Sequence, residues 1–520
     1  MSTKLTDLGE TNNNNISDLA FDENERRGTP IQEFYAGQKI FITGGTGFLG
    51  KVLIEKLLQS CPHVARLYLL TRPKKGKNAQ ARIEELFQDR VFDRIKREVP
   101  KFRDKVVAIC GDCSVEELGI SAEDRRTLIN EVSVVFHVAA TVRFNEKLKL
   151  ASAINVRSTN DLLELCKSMP KLKALVHVST AYANCFEKRV EERFYAYSIH
   201  HEELIRSTNE LSEEELENKF QCIKKTWPNT YTFTKAMAES LIREKHGNLP
   251  IGIIRPAIVI STAYEPIKGW LDNVYGPNGI AAAVSSGILR VMQCDPNSIA
   301  DIIPVDITVN ALIASAWDIY TQTNRGNDML IYNVVASVDA PLTWLDYNKM
   351  TYPHVARYPP SSILWYPTLT LTKYKSLYKF LSIFLHLIPA ILVDTALICI
   401  GQKPRMRNII GKITNFCDVI AFFSTGNWIF INNNVQNMWQ RLNSKDQQLF
   451  KFSMANFDWK MYLQDYVKGI RLYIFKDELD NLESSKLKWK RLYWMHQILK
   501  TFIFVGSTWT IWKIFDKIFS

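Results

Sequence analysis

The stretch Thr43-Gly44-Gly45-Thr46-Gly47-Phe48-Leu49-Gly50 decides how this chain folds. It closes the apolar run Lys39–Thr43 and opens residues 51–60, whose apolar positions recur with helical spacing. Gly45, Gly47 and Gly50 satisfy G-x-G-x-x-G, and Gly44 adds G-x-x-G-x-x-G. Glycines permit the tight turn and let backbone approach a pyrophosphate. Gly50 lets the helix pack on the strand, and the helix N-terminus faces the negative charge. A strand before and a helix after are what a dinucleotide-binding turn requires, and both are present.

Working outward, further apolar runs at 66–70, 105–109, 133–138, 174–178 and 251–254 alternate with longer helical stretches. They are apolar on both parities, as strands covered on both faces should be. The expected fold is α/β: a doubly wound parallel sheet of Rossmann type, followed by a mainly helical C-terminal domain with hydrophobic, membrane-associated segments. With 520 residues, two domains is the natural expectation. The boundaries read as a disordered polar tail over 1–34, a reductase domain over 35–350, a linker over 351–380, a helical domain over 381–478 and a membrane-associated segment over 479–520. Pro353, Pro359, Pro360 and Pro367 mark the linker.

Charge and cysteines narrow the function. The net charge of +11 suits a polyanionic ligand or an anionic membrane surface. No nucleic-acid-binding motif accompanies it, so no nucleic-acid partner is expected. Cys110 and Cys113 form C-x-x-C without a second pair or a nearby histidine, so no metal site is expected. The irregular cysteine spacing suggests free thiols in a reducing compartment.

The second strand should end beside the adenosine ribose, where an acid would bind a free 2′-hydroxyl. Here the chain reads Leu70-Thr71-Arg72-Pro73-Lys74-Lys75, which favours the 2′-phosphate of NADPH, with Arg72 and Lys75 as its partners. Asp112, after the third strand, either accepts from the adenine amino group or caps a turn. Tyr231 and Lys235 form Y-x-x-x-K, one face of a helix. An ammonium beside a phenol lowers the phenol pKa, so Tyr231 can protonate a carbonyl oxygen as hydride arrives. Ser179-Thr180 ends the strand at 174–178 on the ligand side of the sheet, where one hydroxyl should polarise that carbonyl.

These residues carry a resemblance. The phrases TGGTGFLGKVLIEKLL, VFHVAATVRFNE, NVRSTNDLLELC, HVSTAYAN, YTFTKAMAE, IIRPAIV and GWLDNVYGPNG resemble the alcohol-forming fatty acyl-CoA reductases, within the extended short-chain dehydrogenase/reductases. FSTGNWIFINNN and FDWKMYLQDYVKGIRLYIFKD resemble that family's second domain. The resemblance implies reduction of a long-chain fatty acyl-CoA by NADPH, through an aldehyde, to a primary alcohol with release of CoA. It assigns Thr180 to the carbonyl, Tyr231 to the proton and Lys235 to both Tyr231 and the cofactor ribose. It adds Ala139, Ala140, Thr141 and Asn155 to the cofactor wall and sets Arg255 and Pro256 beside the nicotinamide. The gap between Thr180 and Tyr231 is longer than in the wider superfamily and holds the acidic 187–219 segment; the acyl-CoA reductases share a long gap. A hydroxysteroid or sugar-nucleotide oxidoreductase, or a non-catalytic NADPH-binding membrane protein, would use the same turn.

Two apolar stretches bear on location. Residues 380–400 are long enough to span a bilayer but contain His386, Pro389 and Asp394, so a membrane span and a helical wall of an acyl tunnel are both open. Residues 498–511 are shorter and carry Lys500 and Trp509, which favours an interfacial or hairpin anchor. The expected site is the endoplasmic reticulum membrane with the catalytic domain in the cytosol, and the peroxisomal membrane is the alternative.

Overall fold

A computed structural model describes residues 28–519 apart from 75, 222 and 323–328. Most of the expected tail, and Lys75, lie outside the described residues. The tail ends before residue 34, because Pro30–Tyr35 (α1) is helical. The Thr29 hydroxyl accepts from the Gln32 N–H while the Gln32 side chain accepts from the Thr29 N–H, a reciprocal cap. Ile31, Phe34 and Tyr35 are buried, and the Tyr35 hydroxyl donates to the Ile313 carbonyl at 2.8 Å.

Seven parallel strands form the sheet: β1 (Lys39–Thr43), β2 (Arg66–Thr71), β3 (Val106–Cys110), β4 (Val134–His137), β5 (Ala174–Val178), β6 (Ile251–Pro256) and β7 (Leu330–Val334), in the order β7-β6-β5-β4-β1-β2-β3. The doubly wound fold is therefore borne out. The sequence reading reached six of the strands. β4, β5 and β6 are buried along their whole length, which is why their patterns run apolar on both parities. Connections leave β1 and β4 in opposite directions across the sheet, so a crevice opens at their C-terminal ends. The glycine turn leads there into α2 (Phe48–Ser60), and α3 (Thr230–Lys245) lies along the same edge, started by Asn229, which accepts from the Thr232 N–H at 2.9 Å.

The C-terminal part packs on this body as one core. A helix over Trp344–Arg357 (α4) runs through Pro353, so the expected linker does not begin at 351. Strand Thr370–Thr372 pairs in parallel with Val291–Gln293, and Ile429–Phe430 with Arg189–Val190. One hydrophobic cluster extends from Ile31 to Ile470 without a break between the halves.

Lys375–Cys399 (α5) is the one helix, among the described residues, that is long and apolar enough to cross a membrane. His386 and Asp394, within its apolar stretch, face the protein. His386 Nε2 accepts the Arg290 N–H at 2.9 Å, and the Asp394 carboxylate accepts the N–H groups of Arg405, Met406 and Arg407 at 2.8–3.0 Å. Asp394 thereby caps the start of Met406–Thr425 (α6). Phe380, Phe384 and Leu392 are exposed on the outside. The last helix, Leu482–Phe519 (α7), exposes Ile498, Phe502 and Trp509.

Candidate active site

A cavity of about 1080 Å³ opens at the ends of β1, β4 and β5. That exceeds the roughly 300–1,000 Å³ of ordinary small-molecule sites. Gly44, Thr46, Gly47, Phe48, Leu49 and Gly50 line one end. Gly44 has φ +75°, and a Cβ there would stand 2.6 Å from the Ala139 nitrogen; a Cβ on Gly50 would stand 2.2 Å from the Gly44 carbonyl oxygen. Only glycine lets this loop close onto β4 and draw α2 against it. No side chain caps the N-terminus of α2 at Gly47. A glycine cradle at an uncapped helix start fits a dinucleotide pyrophosphate.

Thr43 and Gly45 support the loop from behind. The Thr43 hydroxyl contacts His137 Nδ1 at 2.8 Å and accepts the Ala139 N–H at 3.2 Å, which ties β1 to β4. A Cβ on Gly45 would press on Ile54. Ala139, Ala140 and Thr141 line the cavity, whereas Asn155 does not. Asn155 accepts from the Thr141 N–H at 2.9 Å and donates to the Thr234 hydroxyl at 2.9 Å, so it holds that wall in place.

At the far rim Arg72 is half exposed and stands 3.6 Å from Asp112. Asp112 also caps its own turn, accepting from the N–H and hydroxyl of Ser114. Lys74 and Arg82 share the rim, and Arg82 donates to the Arg72 carbonyl at 2.8 Å. Arg82 was not anticipated, because its distance along the chain hides its return to the β2 loop.

In the middle, α3 presents Tyr231 and Lys235. Thr180 lines the cavity with them; burial pushes the Tyr231 phenol up to about 12, against a smaller lowering by the Thr180 hydroxyl. The expected acidifying effect of Lys235 is absent. Its ammonium donates to the Val178 carbonyl at 2.6 Å, and burial lowers its pKa to about 8, opposed by the nearby Glu239 charge.

Arg255 is turned away from the place expected of it, and Ser179, which lines the cavity, shares its partner Glu239. Ser179 donates to Glu239 at 2.5 Å. Arg255 grips the same carboxylate with two bonds, at 2.9 and 2.6 Å, and also donates to the carbonyls of Glu191 and Arg193. The Arg255 and Glu239 side chains are fully buried. Side chains alternate along a strand, so Pro256 lines the cavity and Arg255 points away from it. Glu239 also escaped the sequence reading, although it lies four residues beyond Lys235 on the same helix face.

The C-terminal part completes the site. Phe144 stacks on Tyr231 with ring centroids 6.0 Å apart and meets Phe423 of α6 at 5.4 Å. Tyr182, two residues past Thr180, packs edge-on against Phe423 and Trp428, and the Trp428 indole N–H donates to the Cys185 carbonyl at 2.9 Å.

Two family models match the chain, both described as male sterility protein: an NAD-binding domain over residues 42–312 and a second domain over 385–477. The fatty acyl-CoA reductase wat of Drosophila melanogaster is 42% identical over 486 residues, covering 94% of this chain and 93% of that protein. Fatty acyl-CoA reductase 1 of Xenopus laevis is 36% identical, covering 93% of each. The chain belongs to the fatty acyl-CoA reductase family. Its NAD-binding domain is that of an oxidoreductase with a nicotinamide cofactor. In this reductase the two matched stretches meet at one cavity, Thr180 and Tyr231 coming from the first, and Ile420 and Phe423 from the second. Among solved structures, the reductase domain of a nonribosomal peptide synthetase from Mycobacterium tuberculosis superposes with a TM-score of 0.57 at 17% identity, covering 86% of this chain and 93% of that one, a likeness of fold.

Proposed function

We propose that this fatty acyl-CoA reductase uses NADPH to reduce a long-chain acyl-CoA at a membrane surface, first to an aldehyde with loss of CoA and then to the primary alcohol. The observation that carries it is that Thr180, Tyr231 and Lys235 line one cavity together with the glycine cradle and a set of apolar residues. Each of the two reductions would take one hydride from one NADPH, so two are consumed and the spent NADP+ would exchange for fresh NADPH between them. Thr180 and Tyr231 both offer O–H groups to the carbonyl oxygen, where negative charge builds. Tyr231 gives up its proton there. Since burial keeps the phenol protonated across the working range, it is always in the donor form. Lys235, held by the Val178 carbonyl, supplies positive charge beside the ribose end of the cradle. Arg72, Lys74 and Arg82, with no acid at the end of β2, support the 2′-phosphate and hence NADPH over NADH.

Membrane attachment rests on the exposed apolar faces of α5 and α7, aided by attraction of the +11 chain to anionic lipid. Free cysteines such as Cys61, Cys166 and Cys417 suit the cytosolic side of the endoplasmic reticulum membrane.

The test is incubation of purified membranes with a panel of acyl-CoAs and either NADPH or NADH, followed by thiol and lipid analysis. Thiol release and fatty alcohol with NADPH are expected. Tyr231→Phe should cut turnover by on the order of 10²–10⁴-fold while cofactor still binds. Arg72→Ala should weaken NADPH binding by about 1–3 kcal/mol and leave NADH nearly unaffected. Wild-type turnover in Tyr231→Phe, or equal loss of both cofactors in Arg72→Ala, would refute the corresponding assignment.

A further inference from the structure

We infer that the apolar end of the cavity is a channel for the acyl chain, and that Met292 sets how long a chain it accepts. The inference rests on the acyl-CoA reading above. Ile280, Met292, Cys294, Leu369, Leu371 and Ile420 all line the cavity. They also belong to a second hydrophobic cluster, set apart from the main core. None carries a charge, whereas the other end has Arg72, Lys74, Arg82 and Asp112. The two ends therefore suit different chemistries. A phosphate-rich dinucleotide is stabilised at the basic end, and an alkyl chain gains only from the apolar one.

Tyr231 joins them. Its ring stacks on Phe144, which meets Phe423, and Ile420 lies one helical turn before Phe423 on α6. A carbonyl carbon at Tyr231 thus has its chain directed along Phe144 and Phe423 toward the second cluster.

One wall of this apolar part is contributed by the paired strands Val291–Gln293 and Thr370–Thr372. Met292 lies opposite Leu371 in their register, and both reach the cavity. Facing residues of paired strands share one face, so the two act as a single barrier. The same strand is held in place by α5, since His386 accepts the Arg290 and Val291 N–H groups. That anchorage fixes the backbone and leaves side-chain size as the variable. Met292 is 5% exposed and is an unbranched, flexible side chain of the kind that fills irregular space. Shortening it adds room at the end of the channel, and an aromatic ring there removes room.

The experiment measures kcat/KM of the full-length protein in membranes, with NADPH and saturated acyl-CoAs of stepwise increasing length, for wild type, Met292→Ala and Met292→Phe. Each methylene that gains a buried place is worth about 4-fold. The preferred length should move up in Met292→Ala and down in Met292→Phe, each by at least one step of the series. Should Met292→Ala fail to fold, Leu371→Ala on the facing strand should produce the same upward move. An unchanged length preference in the folded variants, or an equal loss at every length, overturns the inference while acyl-CoA reduction itself stands. Wild type that reduces no acyl-CoA removes the reading beneath the inference, and the inference with it.

Discussion

At the scale of single residues, the site is governed by burial. Tyr231 and Lys235 share a helix face, but the phenol rises to about 12 and the lysine falls to about 8, both mainly because charge is costly away from water. The consequence is a pH dependence with a definite sign. A lysine is charged below its pKa and neutral above it. Positive charge at Lys235 is therefore present below about pH 8 and lost above it. If that charge serves the cofactor or the developing oxyanion, kcat/KM should fall as pH rises through about 8. Lys235→Arg stays charged, and whatever activity it keeps should lack this fall. A wild-type profile that matches Lys235→Arg throughout would show that the charge is not used. Behind Lys235, the Glu239–Arg255 pair is fully buried and completed by Ser179 and two backbone carbonyls. Breaking such a pair typically costs about 3–5 kcal/mol, because one charge is left without a partner.

At the scale of elements, helix ends do most of the positioning. The uncapped start of α2 is presented to a ligand, whereas α6 is capped by another helix. Asp394 accepts three N–H groups from Arg405, Met406 and Arg407, and a carboxylate at a helix N-terminus also opposes the helix dipole favourably. Asp394→Ala should cost about 0.5–2 kcal/mol, the range for loss of a cap. The expected signature is faster hydrogen exchange at the amides of 405–407, with α6 loosened against α5. Unchanged exchange there would mean that the carboxylate is dispensable to the hairpin. The same contact explains why an acid sits inside an otherwise apolar helix.

At the scale of the whole molecule, two apolar surfaces leave the body, the outer face of α5 and the free length of α7. Phe384 and Leu392 on α5 are 53% and 65% exposed, and Phe502 on α7 is 80% exposed. With both as anchors, deletion of 498–520 alone should leave part of the protein on membranes after a carbonate wash. Adding Phe384→Glu and Leu392→Glu to the truncation should release the remainder. Complete release by truncation alone would assign all the attachment to α7.

Much of the fold was legible in the chain because its signals are local. The glycine turn, the two-sided apolar strands and the spacing of Tyr231 and Lys235 each depend on residues a few positions apart, where sterics and periodicity act directly. The family likeness extended this to Thr180. What the sequence could not decide was direction and partnership over long separations. Arg255 and Pro256 are adjacent, yet the pleat sends one to Glu239 and the other to the cavity. Ser179 and Thr180 are adjacent hydroxyls, yet Ser179 gives its proton to Glu239 while Thr180 accepts the Tyr182 N–H. His386 and Asp394 read as costly in an apolar helix until folding brought Arg290 and Arg405 to them. Likewise a linker drawn at 351 hid one continuous core, because Phe423 and Trp428 find Tyr182 only in the folded chain. A buried polar group must find a partner wherever the chain can bring one, and that choice belongs to the tertiary structure because it is made by packing rather than by neighbours in sequence.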